Sequence, residues 1–259
     1  MIRGRKSSKY YDHLRRHEWS CVASFGPGSQ TRYRIILGLL KKHYAEPPIL
    51  DVGCGIGEMV NKLSKIYPQK QIMGTDFSAE SVKICRSKYP NLIFSQYDIL
   101  NFPRNNSKRY NTVICSEVLE HLSDVSLAIN NLKTLLNKNG LLIISVPYQM
   151  KFWSSHDKFS GHFRRFEKGE LQNILTEQKF EIIDNFSYGR FVYRFYYFLL
   201  KFYNPKKIMP TSDSSKANII FKIFISRLLW FIFLFEDLFY DYSCDRGQRL
   251  YLVARKITK

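Results

Sequence analysis

Asp51-Val52-Gly53-Cys54-Gly55-Ile56-Gly57 places three glycines at alternate positions directly behind a short apolar run, Ile49–Val52. Glycines at those positions permit a tight turn and a close approach of backbone to a ligand. Free N–H groups at the start of a following helix can face a carboxylate or a ribose. This is nucleotide-binding chemistry, but glycine-rich turns are common, and a dinucleotide-binding dehydrogenase would show them too. Asp76 sharpens the reading. It ends a second apolar run nineteen residues past Gly57, where a carboxylate can bond both hydroxyls of a ribose. Phe77 beside it joins the candidate cofactor residues, and Asp98 lies just beyond a third run. Singly, each acid has a plainer role: Asp51 as a strand-end carboxylate satisfied by backbone N–H groups, Asp76 as a helix N-cap.

Two further segments concentrate reactive groups. Glu117, Glu120 and His121 stand at ExxEH spacing. At the start of a helix, Glu117 lies beside both of the others. Two carboxylates and an imidazole could hold Mg²⁺; a packing and capping role is the reading we prefer over the metal. The second segment runs from Ser155 to Phe166 and gathers His156, Asp157, His162, Arg164 and Arg165. So many ionisable groups are not the makings of a packed core. They suit substrate contact, with His162 as a base or a loop-ordering residue, and with His156, Arg164 and Arg165 meeting an anionic acceptor.

The elements that must position these residues alternate. Tyr33, Leu37, Leu40 and Tyr44 recur at helical spacing, after a turn at Gly26–Ser29 and before Pro47-Pro48, which stops the helix. Strands follow at Ile49–Val52, Gln71–Thr75, Leu92–Ser95, Thr112–Cys115, Leu141–Val146, Glu181–Asp184 and Arg249–Ala254. Helices are expected at about Glu58–Ile66, at Ala79–Lys88 behind the N-cap Ser78, and at Glu167–Gln178. Asn139-Gly140 is read as a helix end leading into the fifth strand. Alternation of this kind implies an α/β fold with a mostly parallel, doubly wound sheet, and the loops at its C-terminal edge carry function.

Taken in order, Ile49–Gly57, Met73-Gly74-Thr75-Asp76, Asp98 and Cys115–Leu122 resemble the class I S-adenosylmethionine (SAM)-dependent methyltransferases, over roughly residues 45–187. The resemblance implies a Rossmann-like, seven-stranded sheet with helices on both faces and an antiparallel last strand. It also implies roles: Asp51 and Gly53 at the methionine end of SAM, Asp76 on the ribose, Asp98 on the adenine amino group and Glu117 at the sulfonium side, with Gly55 and Gly57 also among the cofactor-binding residues. The HDKxxGHxRRF pattern from His156 to Phe166 resembles a branch of the family associated with cell-surface glycan and lipid pathways. Residues like Glu117, Glu120 and His121 carry a metal in ubiquinone-pathway and small-RNA methyltransferases. Methyl transfer from a sulfonium is an in-line displacement, so placing the nucleophile is the main task. A hydroxyl acceptor also needs its proton removed, for which His162, Glu117 and His121 are the candidates.

The whole chain bounds the rest. With 259 residues and 45% hydrophobic content, one elaborated domain is expected: a basic lead-in and helix over 1–47, a cofactor-binding core over 48–187, an aromatic, apolar helical elaboration over 188–247 and a closing strand over 248–259. Five scattered cysteines without CxxC spacing argue for a reducing compartment, and the polar N-terminus is no secretory signal. The protein is expected to be cytoplasmic. The net charge of +18 favours anionic partners, and Ile219–Tyr240 has an apolar face suited to a packed lid or to peripheral contact with the inner face of a membrane. The expected activity is O-methylation of a small, glycan-linked or lipid-linked acceptor. The rivals are an RNA methyltransferase, weakened by the lack of a recognisable RNA-binding module, a non-catalytic partner protein that keeps the fold, and a dehydrogenase, weakened by the missing GxGxxG.

Overall fold

The computed structural model describes residues 26–101, 108–189 and 246–257. Nearly all of the expected elaboration, its Ile219–Tyr240 segment and the basic lead-in lie outside these residues.

Seven strands form one sheet: β1 (Ile49–Val52), β2 (Ile72–Asp76), β3 (Ile93–Gln96), β4 (Tyr110–Ser116), β5 (Leu136–Pro147), β6 (Phe180–Tyr188) and β7 (Arg249–Lys256). Their spatial order is β3-β2-β1-β4-β5-β7-β6. The first five are mutually parallel, while β7 runs antiparallel between β5 and β6. The chain therefore reverses direction across the sheet between β1 and β4. In open α/β sheets the crevice beyond the strand ends at such a switch point receives ligands, and here the strands entering it end at Val52, Asp76 and Ser116.

Alternation along the strands divides the core. Leu142, Ile144 and Val146 of β5 join one buried cluster, and Leu141 and Ile143 join the other, because successive strand side chains point to opposite faces. Helices α1 (Pro27–Lys42), α2 (Glu58–Leu63) and α3 (Ala79–Lys88) cover one face through Ile36, Leu40, Val60, Leu63 and Val82. Helices α4 (Val125–Leu135) and α6 (Glu170–Glu177) cover the other through Ala128, Ile129, Leu132, Leu171 and Leu175. Each such side chain contributes about 1.5–3 kcal/mol by leaving water. A six-residue helix, α5 (Ser155–Ser160), sits in the connection after β5.

Local chemistry sets the ends. Pro27 occupies the first turn of α1, where its missing N–H costs nothing, so the expected turn at Gly26–Ser29 is already helix. Tyr44, placed by periodicity on that helix, lies beyond its end at φ 50 and is 88% exposed; Ile36 and Leu39 take the buried stripe instead. Ser78 caps α3 as expected, its Oγ accepting from the Ser81 N–H. Helix α4 is the helix implied between Glu117 and Asn139-Gly140, for which no bounds are expected; Asp124 caps it by accepting from the Leu127 N–H at 2.8 Å, and Val125, Ala128, Ile129 and Leu132 form a helical stripe. It ends at Leu135, so Asn139-Gly140 is not a helix end. Asn139 takes φ 60 within the span of β5, and the pairing with β4 shifts register between Tyr110 and Thr112. Gly169, at φ 80, starts α6 three residues later than the expected Glu167.

Candidate active site

The Gly53–Gly57 loop is stapled to the end of β2. Gly53 and Cys54 donate N–H bonds to the Thr75 carbonyl at 2.7 and 2.9 Å, and Gly57 donates to Cys54 at 3.0 Å. Gly53 has φ +73, and a Cβ there would collide with the Val118 side chain, so only glycine fits. Asp76 completes the staple: its Oδ2 accepts from the Gly55 N–H at 2.8 Å and its Oδ1 from the Ser78 N–H at 2.9 Å. The loop's N–H groups, expected to await a ligand, are thus largely spent within the protein. The carboxylate of Asp76 retains further lone pairs, since each oxygen can accept twice.

Asp51 is 3% exposed. Burial pushes its carboxyl up to about 7, the charge of Asp76 adds to the shift, and Arg32 on α1 only partly opposes it. No ion pair to Asp51 forms among the described residues. Asp98 is occupied at the strand's far side: Oδ1 accepts from the Leu100 N–H and Oδ2 from Asn101 Nδ2, both at 3.0 Å, which closes a 3₁₀ turn. Phe77 is half-buried beside Asp76.

Glu117 directly follows β4 with φ 57, a left-handed conformation that turns the chain away from the sheet. It does not start a helix; a 3₁₀ turn, Leu119–His121, follows. The Glu117 Oε2 accepts from Arg249 at 2.9 Å and Oε1 from Ser145 Oγ at 3.2 Å. Burial alone would raise this carboxyl, but Arg249 and Arg32 hold it below the usual range.

That turn separates Glu117 from the metal set expected of it. The group assembled within 4.8 Å is Glu120, His121 and His162. Glu120 is fully buried, and neither of its side-chain oxygens has a hydrogen-bond partner among the described residues. Burial, and then the charge of Glu117, drive its carboxyl well above the usual range. The two rings pack edge to face with centroids 4.8 Å apart. The backbone joins the two segments, Phe163 N–H donating to the Glu120 carbonyl at 2.9 Å.

Asp157 organises the histidine-rich loop, a role the sequence did not assign to it. Its Oδ1 accepts from His162 Nδ1 and Arg165 Nε, each at 2.9 Å. Its Oδ2 accepts from Arg165 Nη2 at 3.0 Å and from the N–H and Oγ of Ser154 at 2.8 and 3.0 Å. Burial would raise Asp157, yet His162 and Arg165 hold it far below the usual range. Arg165, expected at the acceptor, is therefore a buried clamp, and its Nη1 also reaches the Gln248 carbonyl at 3.3 Å. Arg164 stays half-exposed with Glu170 at 3.8 Å. His156 is pulled down to about 4 by burial, so its ring is neutral at physiological pH.

Residues 11–185 match the methyltransferase domain family, and the chain belongs to it. A malonyl-[acyl-carrier protein] O-methyltransferase of Halalkalibacterium halodurans is 31% identical over 116 residues, covering 43% of each chain. The chain spans about half the length of the curated relatives it matches. Among solved structures, a [4+2]-cyclase matches with TM-score 0.64 at 18% identity over 99% of this chain and 98% of its own. An N-methyltransferase of Bradyrhizobium japonicum solved with S-adenosylhomocysteine matches with TM-score 0.60 at 15% identity over 96% and 99%. The class I methyltransferase fold expected from the sequence, with its antiparallel last strand, is the fold observed. A cyclase shares it, so the fold by itself does not specify a reaction.

Proposed function

We propose that the chain is a SAM-dependent methyltransferase acting on an oxygen of a small, lipid-linked or glycan-linked acceptor. The observation that carries this reading is Asp51. A buried carboxylate beside a second carboxylate, with no cation paired to it among the described residues, marks a place for a positively charged ligand. SAM fits the donor set, having an ammonium group and a sulfonium at one end and a ribose between them and its adenine. Asp51, Gly53 and the loop through Gly55 and Gly57 would hold the methionine end. Asp76 would hold the ribose, Asp98 and Phe77 the adenine end, and Glu117 the sulfonium side. SAM supplies a methyl group on a cationic sulfur, which leaves as a neutral thioether.

The protein's part is placement and proton handling. Glu117, kept ionised by Arg249 and Arg32, sets a negative charge beside the reacting end of the crevice. His162 is held by Asp157 through Nδ1. An ionised carboxylate only accepts, so Nδ1 carries the proton, and Nε2 lies 3.8 Å from Glu120 Oε1, where His162 acts on the acceptor together with that carboxyl. Arg164 and the neutral His156 are the acceptor contacts; Arg165 is withdrawn from that role because Asp157 saturates it. An oxygen acceptor is supported by the name of the malonyl-carrier relative. Among the described residues no helix is long and apolar enough to cross a membrane; peripheral membrane contact through 219–240 remains a proposal from sequence. Calorimetry with SAM and S-adenosylhomocysteine, followed by transfer of labelled methyl from SAM into a metabolite extract, tests the reading. One cofactor per chain and a labelled small product are expected; a chain that binds neither nucleoside contradicts it.

A further inference from the structure

Holding a methyl donor leaves the cluster of Glu120, His121 and His162 unexplained. Glu120 is fully buried with both carboxyl oxygens lacking partners among the described residues. Such a group costs stability unless something satisfies it. The surroundings are arranged for a particular kind of partner. His162 Nδ1 donates to Asp157 at 2.9 Å, and His121 Nδ1 donates to the Gly161 carbonyl at 3.3 Å. Both rings therefore direct Nε2 toward the same oxygen, Glu120 Oε1, at 3.8 Å from His162 and 4.0 Å from His121. Those separations are too long for hydrogen bonds. The Asp157 carboxylate and the Gly161 carbonyl orient the two imidazoles through Nδ1 and leave Nε2 converging on a carboxylate, the outer support that metal-ligating histidines use.

We propose that Glu120 and the Nε2 atoms of His121 and His162 bind one divalent cation of the borderline class, Zn²⁺, Co²⁺ or Fe²⁺, in preference to Mg²⁺. Two imidazoles and one carboxylate suit those ions, whereas Mg²⁺ favours an oxygen shell. The three donor atoms already lie within 4.8 Å of one another, and ligation at about 2.0–2.2 Å would draw them inward. Glu117 stays outside the set, bonded to Arg249 and Ser145. The ion's use, to hold and acidify an acceptor oxygen beside the methyl donor, rests on the methyltransferase reading; the binding itself does not.

The full chain, stripped with chelator and desalted, is titrated with Co²⁺, with Zn²⁺ and with Mg²⁺. Elemental analysis, the visible spectrum of Co²⁺ and the thermal midpoint are read. One Co²⁺ or Zn²⁺ per chain is expected, with a raised midpoint, and a tenfold excess of Mg²⁺ leaves the Co²⁺ spectrum in place. Glu120→Gln, which keeps the shape of the side chain, and His162→Ala each weaken Co²⁺ binding by about 100-fold or more. S-adenosylhomocysteine is titrated into the same samples and keeps its affinity within a few-fold. A wild-type chain that takes up no Co²⁺ or Zn²⁺, or a Glu120→Gln chain that binds as tightly as wild type, overturns the proposal. Failure of metal binding with S-adenosylhomocysteine binding intact sinks the metal site alone; loss of S-adenosylhomocysteine binding in wild type sinks the methyltransferase reading instead.

Discussion

Asp51 and Asp157 are both buried aspartates in the functional half of the molecule, yet burial leaves them in opposite states. Asp157 sits in a finished network. Arg165 pairs with it and His162 bonds to it from within, and its carboxyl is held far below the usual range. Asp51 is raised to about 7 by burial and by its carboxylate neighbour Asp76, and the charge of Arg32 opposes this only in part. A charge that the chain has already paired builds structure. One left without an ion pair among the described residues is where the proposed cationic ligand would bind.

Removing the partner of the finished aspartate should have the largest effect. Arg165→Ala strands Asp157 as a buried, unpaired charge, at a cost of about 3–5 kcal/mol; a thermal or denaturant melt reads it. A variant as stable as wild type breaks the comparison on the structural side. His162→Ala comes next, lowering turnover about 10²-fold or more while S-adenosylhomocysteine affinity, measured by calorimetry, stays within a few-fold.

The unpaired aspartate predicts a pH dependence. A cationic ligand favours ionised Asp51, so affinity for S-adenosylhomocysteine should fall as pH drops below about 7, approaching about tenfold per unit, and a pH-independent Asp51→Asn variant should bind more weakly. In folding the sign is the reverse of that for Asp157. The neutral form of Asp51 is the favoured one, so its contribution is present below its unfolded pKa, about 4, and is lost as pH rises through about 7. Asp157, with its folded pKa depressed, contributes above about 4 and loses that contribution as pH falls. Titrations across pH 5–8 that show flat ligand affinity would dissolve the contrast. The smallest effect belongs to Arg164→Ala, whose half-exposed pair with Glu170 is worth about 0–1 kcal/mol. It should leave the melt unchanged and raise KM for an anionic acceptor.

The same contrast explains what the sequence made legible. The cofactor half reads well because its geometry is local. A buried strand, three glycines and an acid at the next strand's end follow in chain order, and the sheet brings their ends together at the β1/β4 switch point. Helix α4 carries an equally local signal in Asp124 and the stripe from Val125 to Leu132, which bounds it more closely than Asn139-Gly140 does. The histidine-rich loop reads poorly because spacing shows which charges are near one another but not which cancel. Arg165 and Asp157 lie close in sequence, yet nothing in that spacing says that they bond twice and withdraw the arginine from the acceptor. Glu120, His121 and His162 pose the harder case: the third member comes from another segment, and Glu117 is turned away by its φ of 57.

The central claim is that the crevice between the Gly53–Gly57 loop and the end of β2 holds SAM. Calorimetric titration of SAM into wild type and into Asp76→Ala tests it most directly. Asp76 braces the Gly55 and Ser78 N–H groups and would bond the ribose, each charge-assisted bond being worth about 1.5–3 kcal/mol. The account predicts one SAM per wild-type chain and about a 100-fold or greater loss in Asp76→Ala with the fold intact by circular dichroism. Equal affinity in the two proteins would contradict it.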